Sequence, residues 1–235
     1  MQTPVKLVET ALSIQADAYL FDIDGTILVT RDLVHWNGLH RAMLEVYGVD
    51  TTIEGIAYHG KTDVGILRAA LQRCGVEGSE FERGLVAARS IICEEVSAHK
   101  AEIRADVCPA IDALLQELQE SGKLLGVASG NLEIVGWHKV AAAGVRKFFR
   151  FGCFGDHCES RSEIFANAIS ETKQRLGSDA RACFIGDTPE DIRAAREVQA
   201  QIIAVSTGTY NVRELAALGP DACCRSCAEL LTRLR

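Results

Sequence analysis

Five short runs of the chain are almost wholly apolar: AYLFD (18–22), LLGVAS (124–129), FRFGCF (149–154), ACFIGD (182–187) and IIAVS (202–206). Short runs without polar alternation are the pattern of strands covered on both faces. From the second run onward they alternate with stretches of helical period. Residues 109–122 carry Ile111, Leu114, Leu115 and Leu118 on one stripe and stop at Gly122; residues 162–177 place Ile164, Phe165, Ala168, Ile169 and Leu176 together and also end in glycine. Strands alternating with helices predict an α/β fold, a doubly wound parallel sheet of Rossmann-like type. Ligands of such sheets bind beyond the carboxyl ends of the strands.

The stretch between the first two strands is far longer than one crossover requires. Most of it has helical period: 36–48, 62–75 and 81–103, with Gly48 and Gly75 as stops. The pattern predicts an all-helical insertion, or cap, over residues 31–105, carried by a core made of residues 1–30 and 106–235.

Composition narrows the function. With 235 residues, 48% of them hydrophobic, the chain can bury a sizeable core. A formal charge of −7 disfavours nucleic acid, whose binding rests on Lys and Arg neutralising phosphates, and gives no attraction to an anionic membrane. No stretch reaches the roughly 18 apolar residues of a membrane span, and the first residues lack the pattern of a secretory leader, so a cytoplasmic location is expected. Nine cysteines, an odd number in a chain of this size, read as reduced thiols. The cluster Cys223, Cys224 and Cys227 lacks a second ligand pair at zinc spacing, sits between two helix-like segments and reads as apolar packing.

Candidate chemistry collects at the strand ends. FDIDGT (21–26) sets Asp22 and Asp24 where the first strand runs out, before a glycine that permits a sharp turn. ACFIGDTPED (182–191) ends another strand in Asp187 and then Asp191. Acids crowded at one sheet edge repel one another, and a divalent ion with a preference for oxygen ligands, Mg2+, relieves that repulsion. Ser129 and Gly130 close the second strand with a hydroxyl and free N–H groups suited to phosphate oxygens, although Ser129 also suits a helix cap. Arg161 opens the 162–177 helix, where a cation opposes the helix dipole and so has reason to serve something else; Lys147 and Arg150 are lesser candidates. GIAYHGKT (55–62) matches a nucleotide phosphate loop in letters, but the polar GVDTTIE before it is no buried strand.

In this order, Asp22-Ile-Asp24-Gly-Thr26, Ser129, a basic residue, then Gly186-Asp187 with Asp191, the chain resembles the haloacid dehalogenase-like hydrolase superfamily over residues 18–206. It is most similar to the phosphoglycolate phosphatase group, which has a helical cap inserted after the first motif. Where that family usually has lysine, often followed by proline, this chain has Arg161-Ser162. The resemblance implies a Mg2+-dependent phosphatase acting on a small phosphorylated metabolite, 2-phosphoglycolate being one example. Asp22 would be the nucleophile and Asp24 the acid and base, the latter adding its carbonyl to the metal. Asp187 and Asp191 would complete the metal site, and Ser129, Gly130 and Arg161 would hold the phosphoryl oxygens. GKTD (60–63) resembles the cap segment that this group brings over its active site, so His59, Lys61 and Thr62 are the expected specificity residues. Asp24 argues against the carbon-attacking dehalogenases, which typically lack it. A sugar phosphomutase remains open, as does a phosphonate-cleaving enzyme using Lys61. From other classes come a nucleotide-binding protein built on 55–62 and a catalytically silent binding protein. Oligomeric state is not encoded in any pattern we can read.

Overall fold

The computed structural model describes residues 14–234, so most of the N-terminal segment considered for a leader, and the first part of the expected core segment 1–30, lie outside the described residues. All five expected strands are present: β1 (Ala18–Phe21), β4 (Leu124–Ala128), β5 (Phe151–Cys153), β6 (Ala182–Gly186) and β7 (Gln201–Val205). A sixth, β8 (Ala222–Cys224), lies on the stretch read as a link between helices. It makes Cys223 and Cys224 strand residues, while Cys227 opens the last helix, α9 (Cys227–Leu234). Cys224 and Cys227 are fully buried, and all nine cysteines are free thiols.

The six strands form one parallel sheet in the order β5-β4-β1-β6-β7-β8. Strand periodicity of two sorts its side chains into two apolar layers. Tyr19, Phe21, Val127, Ile185 and Ile203 join the helices α4 (Ile111–Glu120) and α9 on one face. Leu20, Ala128, Phe184 and Ile202 join α6 (Arg161–Leu176), α7 (Pro189–Glu197) and α8 (Val212–Ala216) on the other. Phe165 and Phe184 stack with ring centroids 3.7 Å apart. Leu176, expected on the buried face of α6, is 48% exposed, because it is the helix's last residue and its turn has left the sheet.

Two short strands missed in the sequence, β2 (Leu28–Thr30) and β3 (Ala105–Val107), pair antiparallel outside the main sheet. They are too short and too mixed in character to show a period. Between them run α1 (Val34–Tyr47), α2 (Asp63–Gln72) and α3 (Gly78–Ala98). Gly48 ends α1 in the left-handed conformation, φ 66°, which glycine adopts without steric cost. These three helices share an apolar cluster of their own around Leu39, Met43, Leu67, Phe81 and Ile92. Leu132, and Val135 of α5 (Glu133–Ala142), also belong to it, so α5 serves both the sheet and the insertion.

Candidate active site

The register of the central strands decides what meets at their carboxyl ends. Phe21 stands opposite Val127 on one side and Ile185 on the other. The residues just beyond, Asp22, Ser129 and Asp187, therefore emerge together. Asp22 continues the ladder by donating its N–H to Ile185 O at 2.9 Å. The chain then turns at Gly25, φ 85°, and a Cβ there would run into the Asp187 carboxylate. Only glycine meets both conditions.

Asp22, Asp187 and Asp191 are all buried, and each brings a carboxylate oxygen within 4.8 Å of the others. Arg161, 7% exposed, is the cation among them. Its Nη2 lies 2.6 Å from Asp22 Oδ1 and its Nε 2.6 Å from Asp191 Oδ1, while Nη1 donates to Gly60 O at 3.2 Å. Arg161 is indeed the first residue of α6, with Ser160 as its N-cap. Lys147 and Arg150, the lesser candidates, are exposed on the surface.

One guanidinium does not balance three carboxylates. Burial first, then the neighbouring Asp191 and Asp24 charges, push the Asp22 carboxyl up to about 6 against the pull of Arg161. Burial and the charges of Asp22 and Asp191 raise Asp187 well above the carboxylate range. Hard oxygen donors around excess negative charge fit Mg2+. Asp191 has both oxygens committed, Oδ1 to Arg161 and Oδ2 to the Thr188 N–H and hydroxyl in a capping box that starts α7. That leaves Asp22 and Asp187 as the side chains placed to face an ion, with Asp191 supporting them rather than ligating. Among the described residues no other group of acids, histidines or cysteines is gathered closely enough to hold a metal.

Asp24 faces the other way. Its carboxylate accepts from Lys139 Nζ and from Asn131 Nδ2, which also donates to the buried Ser129 hydroxyl. Ser129 is thus no helix cap; α5 starts later, with Leu132 at its N-cap position. Burial works to raise Asp24, but the charge of Lys139 and its hydrogen bonds prevail and hold the carboxyl below the ordinary range. Sequence reasoning missed Lys139 altogether. The available signal was its position in α5, on the apolar stripe with Val135, Gly136 and Val140, where a solvated lysine has no place.

These groups floor a cavity of about 120 Å3. The insertion supplies the opposite wall: Trp36, Leu39, Ile53, Tyr58 and Ile66, with His35, His59 and Lys61. His59 and Lys61 are exposed at its rim, as two of the three expected specificity residues. The third, Thr62, does not line it; the side chain caps α2, accepting from the Gly65 N–H, and donates to Glu159 O. Wall and floor meet without a gap. The Asp63 N–H donates to Gly130 O at 2.8 Å, the Leu132 N–H donates to Asp63 Oδ2, and a Cβ on Gly130 would stand 2.5 Å from the Lys61 carbonyl oxygen. Residues 55–62 are irregular, no strand precedes them, and the Gly60 carbonyl is given to Arg161. This is not the strand-fed loop that cradles nucleotide phosphates.

No helix of the described residues is long and apolar enough to cross a membrane. The glyceraldehyde 3-phosphate phosphatase of Methanopyrus kandleri is 25% identical over 214 residues, covering 84% of this chain and 87% of that protein. Among solved structures, the fold is shared with CbbY from Rhodobacter sphaeroides in complex with phosphate, at TM-score 0.69 and 21% identity over 94% of this chain and 99% of that one. It is shared too with a predicted phosphoglycolate phosphatase from Haemophilus somnus, at TM-score 0.66 and 17% identity over 95% and 100%. The model of the family described as haloacid dehalogenase-like hydrolase matches residues 19–205, a span that runs from β1 through β7. The chain belongs to the haloacid dehalogenase-like hydrolase family and is an enzyme of its phosphatase kind.

Proposed function

We propose that the protein hydrolyses a small phosphomonoester with the help of Mg2+, through a phosphorylated Asp22. The observation that carries this reading is the trio Asp22, Asp187 and Asp191, buried around one arginine at the carboxyl end of the central strands. Asp22 and Asp187 would hold the ion, with the Asp24 main-chain carbonyl, and Asp191 would keep them in place. Bound there, Mg2+ would screen the negative charge that nucleophile and phosphate share.

An Asp22 oxygen attacks phosphorus while the bond to the ester oxygen breaks, and Asp24 gives that oxygen its proton. Asp24 then takes a proton from the water that attacks the aspartyl-phosphate, releasing phosphate and restoring Asp22. The Ser129 hydroxyl, the Gly130 N–H and Arg161 suit the phosphoryl oxygens, with Arg161 also fixing Asp22. Residues 31–105 act as a cap that excludes water, a reading supported by their own apolar cluster and by their seam with Gly130.

The cavity also speaks to the substrate. Both buried cations, Arg161 and Lys139, are already paired with aspartates, and the opposite wall is mostly apolar and aromatic. This lining favours a short alcohol whose far end is uncharged, such as a triose phosphate, over one with a second anion. 2-Phosphoglycolate would have to place its carboxylate on Lys61 or His59 at the rim. The test is hydrolysis of p-nitrophenyl phosphate and a panel containing glyceraldehyde 3-phosphate, 2-phosphoglycolate and a sugar bisphosphate, with Mg2+ or EDTA. Activity untouched by EDTA, or retained in Asp22→Asn, would overturn the reaction. Preference for the bisphosphate would overturn the substrate class.

A further inference from the structure

The reaction proposed above asks one residue, Asp24, to give a proton to the departing alcohol and take one from water. Lys139 Nζ lies 3.0 Å from Asp24 Oδ1, 2.8 Å from Asp24 Oδ2 and 2.8 Å from Asn131 Oδ1. An ammonium has three hydrogens to donate, and here three acceptors surround it. Asn131 Nδ2 donates to Asp24 Oδ2 at 2.8 Å and to Ser129 Oγ at 3.0 Å. The four side chains form one connected network.

Stability does not account for it. The Lys139 side chain is 6% exposed, whereas that of Asp24 keeps 43% of its surface. Taking an ammonium out of water is expensive, and a carboxylate still that well hydrated gains little from a buried counter-ion. What the arrangement supplies is direction, since a carboxylate tied through both oxygens cannot turn about its side-chain bonds. The geometry points to Lys139 as a positioning residue that, with Asn131, aims Asp24 at the leaving-group oxygen and ties that aim to the Ser129 hydroxyl; the inference rests on the phosphatase reading. Arg161 does the corresponding task for Asp22, so each of the two reacting aspartates has a buried cation of its own. Lys139 keeps its proton throughout. The proton that moves goes from Asp24 to the ester oxygen, which leaves with the electron pair of the broken bond.

The inference is tested by leaving-group dependence. The alcohol of 2,4-dinitrophenyl phosphate departs without being protonated, whereas an alkyl ester such as glycerol 3-phosphate needs Asp24. In Lys139→Met, kcat/KM for the alkyl ester should fall about 100-fold, and for the dinitrophenyl ester by no more than about threefold. Lys139→Arg should recover part of the alkyl activity. Asn131→Ala, which leaves the lysine in place, should show the same selective loss at about tenfold, so the test does not hang on Lys139→Met folding. Equal losses on both esters, or no loss on the alkyl ester in either variant, would overturn the role of Lys139. A wild-type protein that hydrolyses neither ester with Mg2+ would instead overturn the phosphatase reading beneath it.

Discussion

The floor and the wall of the cavity are built on opposite plans. The floor consists of buried charges at strand ends, each fixed by a partner at hydrogen-bond distance: Asp22 by Arg161, Asp191 by Thr188 and Arg161, Asp24 by Lys139 and Asn131. The wall is apolar and aromatic, with Trp36, Tyr58 and His59 in edge or tilted contact and its titratable groups, His59 and Lys61, in water. A fixed, desolvated floor is what bond-making requires, because charges placed beforehand need no rearrangement during reaction. A softer wall is what selection among leaving groups requires. Chemistry and choice are thus assigned to different segments of the chain.

Substitutions that separate the two sides should differ in kind as well as in size. The largest effect belongs to the floor: Asp22→Asn should lower kcat by on the order of 10⁴-fold or more for every substrate tried, measured by phosphate release. Next comes metal removal. The raised Asp22 carboxyl, at about 6, retains in the fold a proton that the unfolded chain has lost, so this contribution to stability is full in acid and gone once pH rises through about 6. The metal-free protein is therefore penalised at neutral pH, and Mg2+ relieves the penalty. At pH 7.5 and 100 times its Kd, Mg2+ should add about 2.7 kcal/mol, or roughly 5–10 °C in Tm, and the increment should shrink below pH 6. A constant increment from pH 5 to 8 would mean that the floor carboxylates do not hold the ion.

At the seam, Gly130→Ala would push against the Lys61 carbonyl and part the Asp63–Gly130 bond. KM should rise about tenfold, equivalent to about 1.4 kcal/mol, with the Mg2+ dependence unchanged. The smallest effect belongs to the wall: Lys61→Ala should change the ranking of phosphoesters by a few-fold in kcat/KM while Mg2+ affinity stays put. If Lys61→Ala altered metal binding, the division between floor and wall would fail.

The floor was also the more legible side in the sequence. Asp22, Asp24, Asp187 and Asp191 follow apolar runs directly, and the parallel register that such runs adopt brings their ends together. Arg161 could be found because a cation in the first turn of a helix is out of place. Lys139 could not be found in the same way, since its partner is Asp24, 115 residues away, and only the folded register shows that α5 crosses the first strand's loop. The wall was legible as helices but not as a surface. Thr62 looked like a specificity residue by its position, yet its hydroxyl is used up within α2 and on Glu159. Strand β8 escaped because three residues, two of them cysteine, have no period, and the ribbon of β2 and β3 for the same reason.

The position of β1 bears on how the molecule is made. The first strand to leave the ribosome is a central one, and both of its neighbours come later: β4 is complete only at residue 128 and β6 at residue 186. Closing so long a loop delays pairing, and synthesis itself imposes a wait. Asp22 is thus translated some 165 residues ahead of Asp187, with which it is to share an ion. In the interval AYLF, an apolar β-forming segment, has one edge or two unpaired, which is the condition that invites association between nascent chains. The period of greatest exposure for this protein falls during its own synthesis, before the catalytic centre exists.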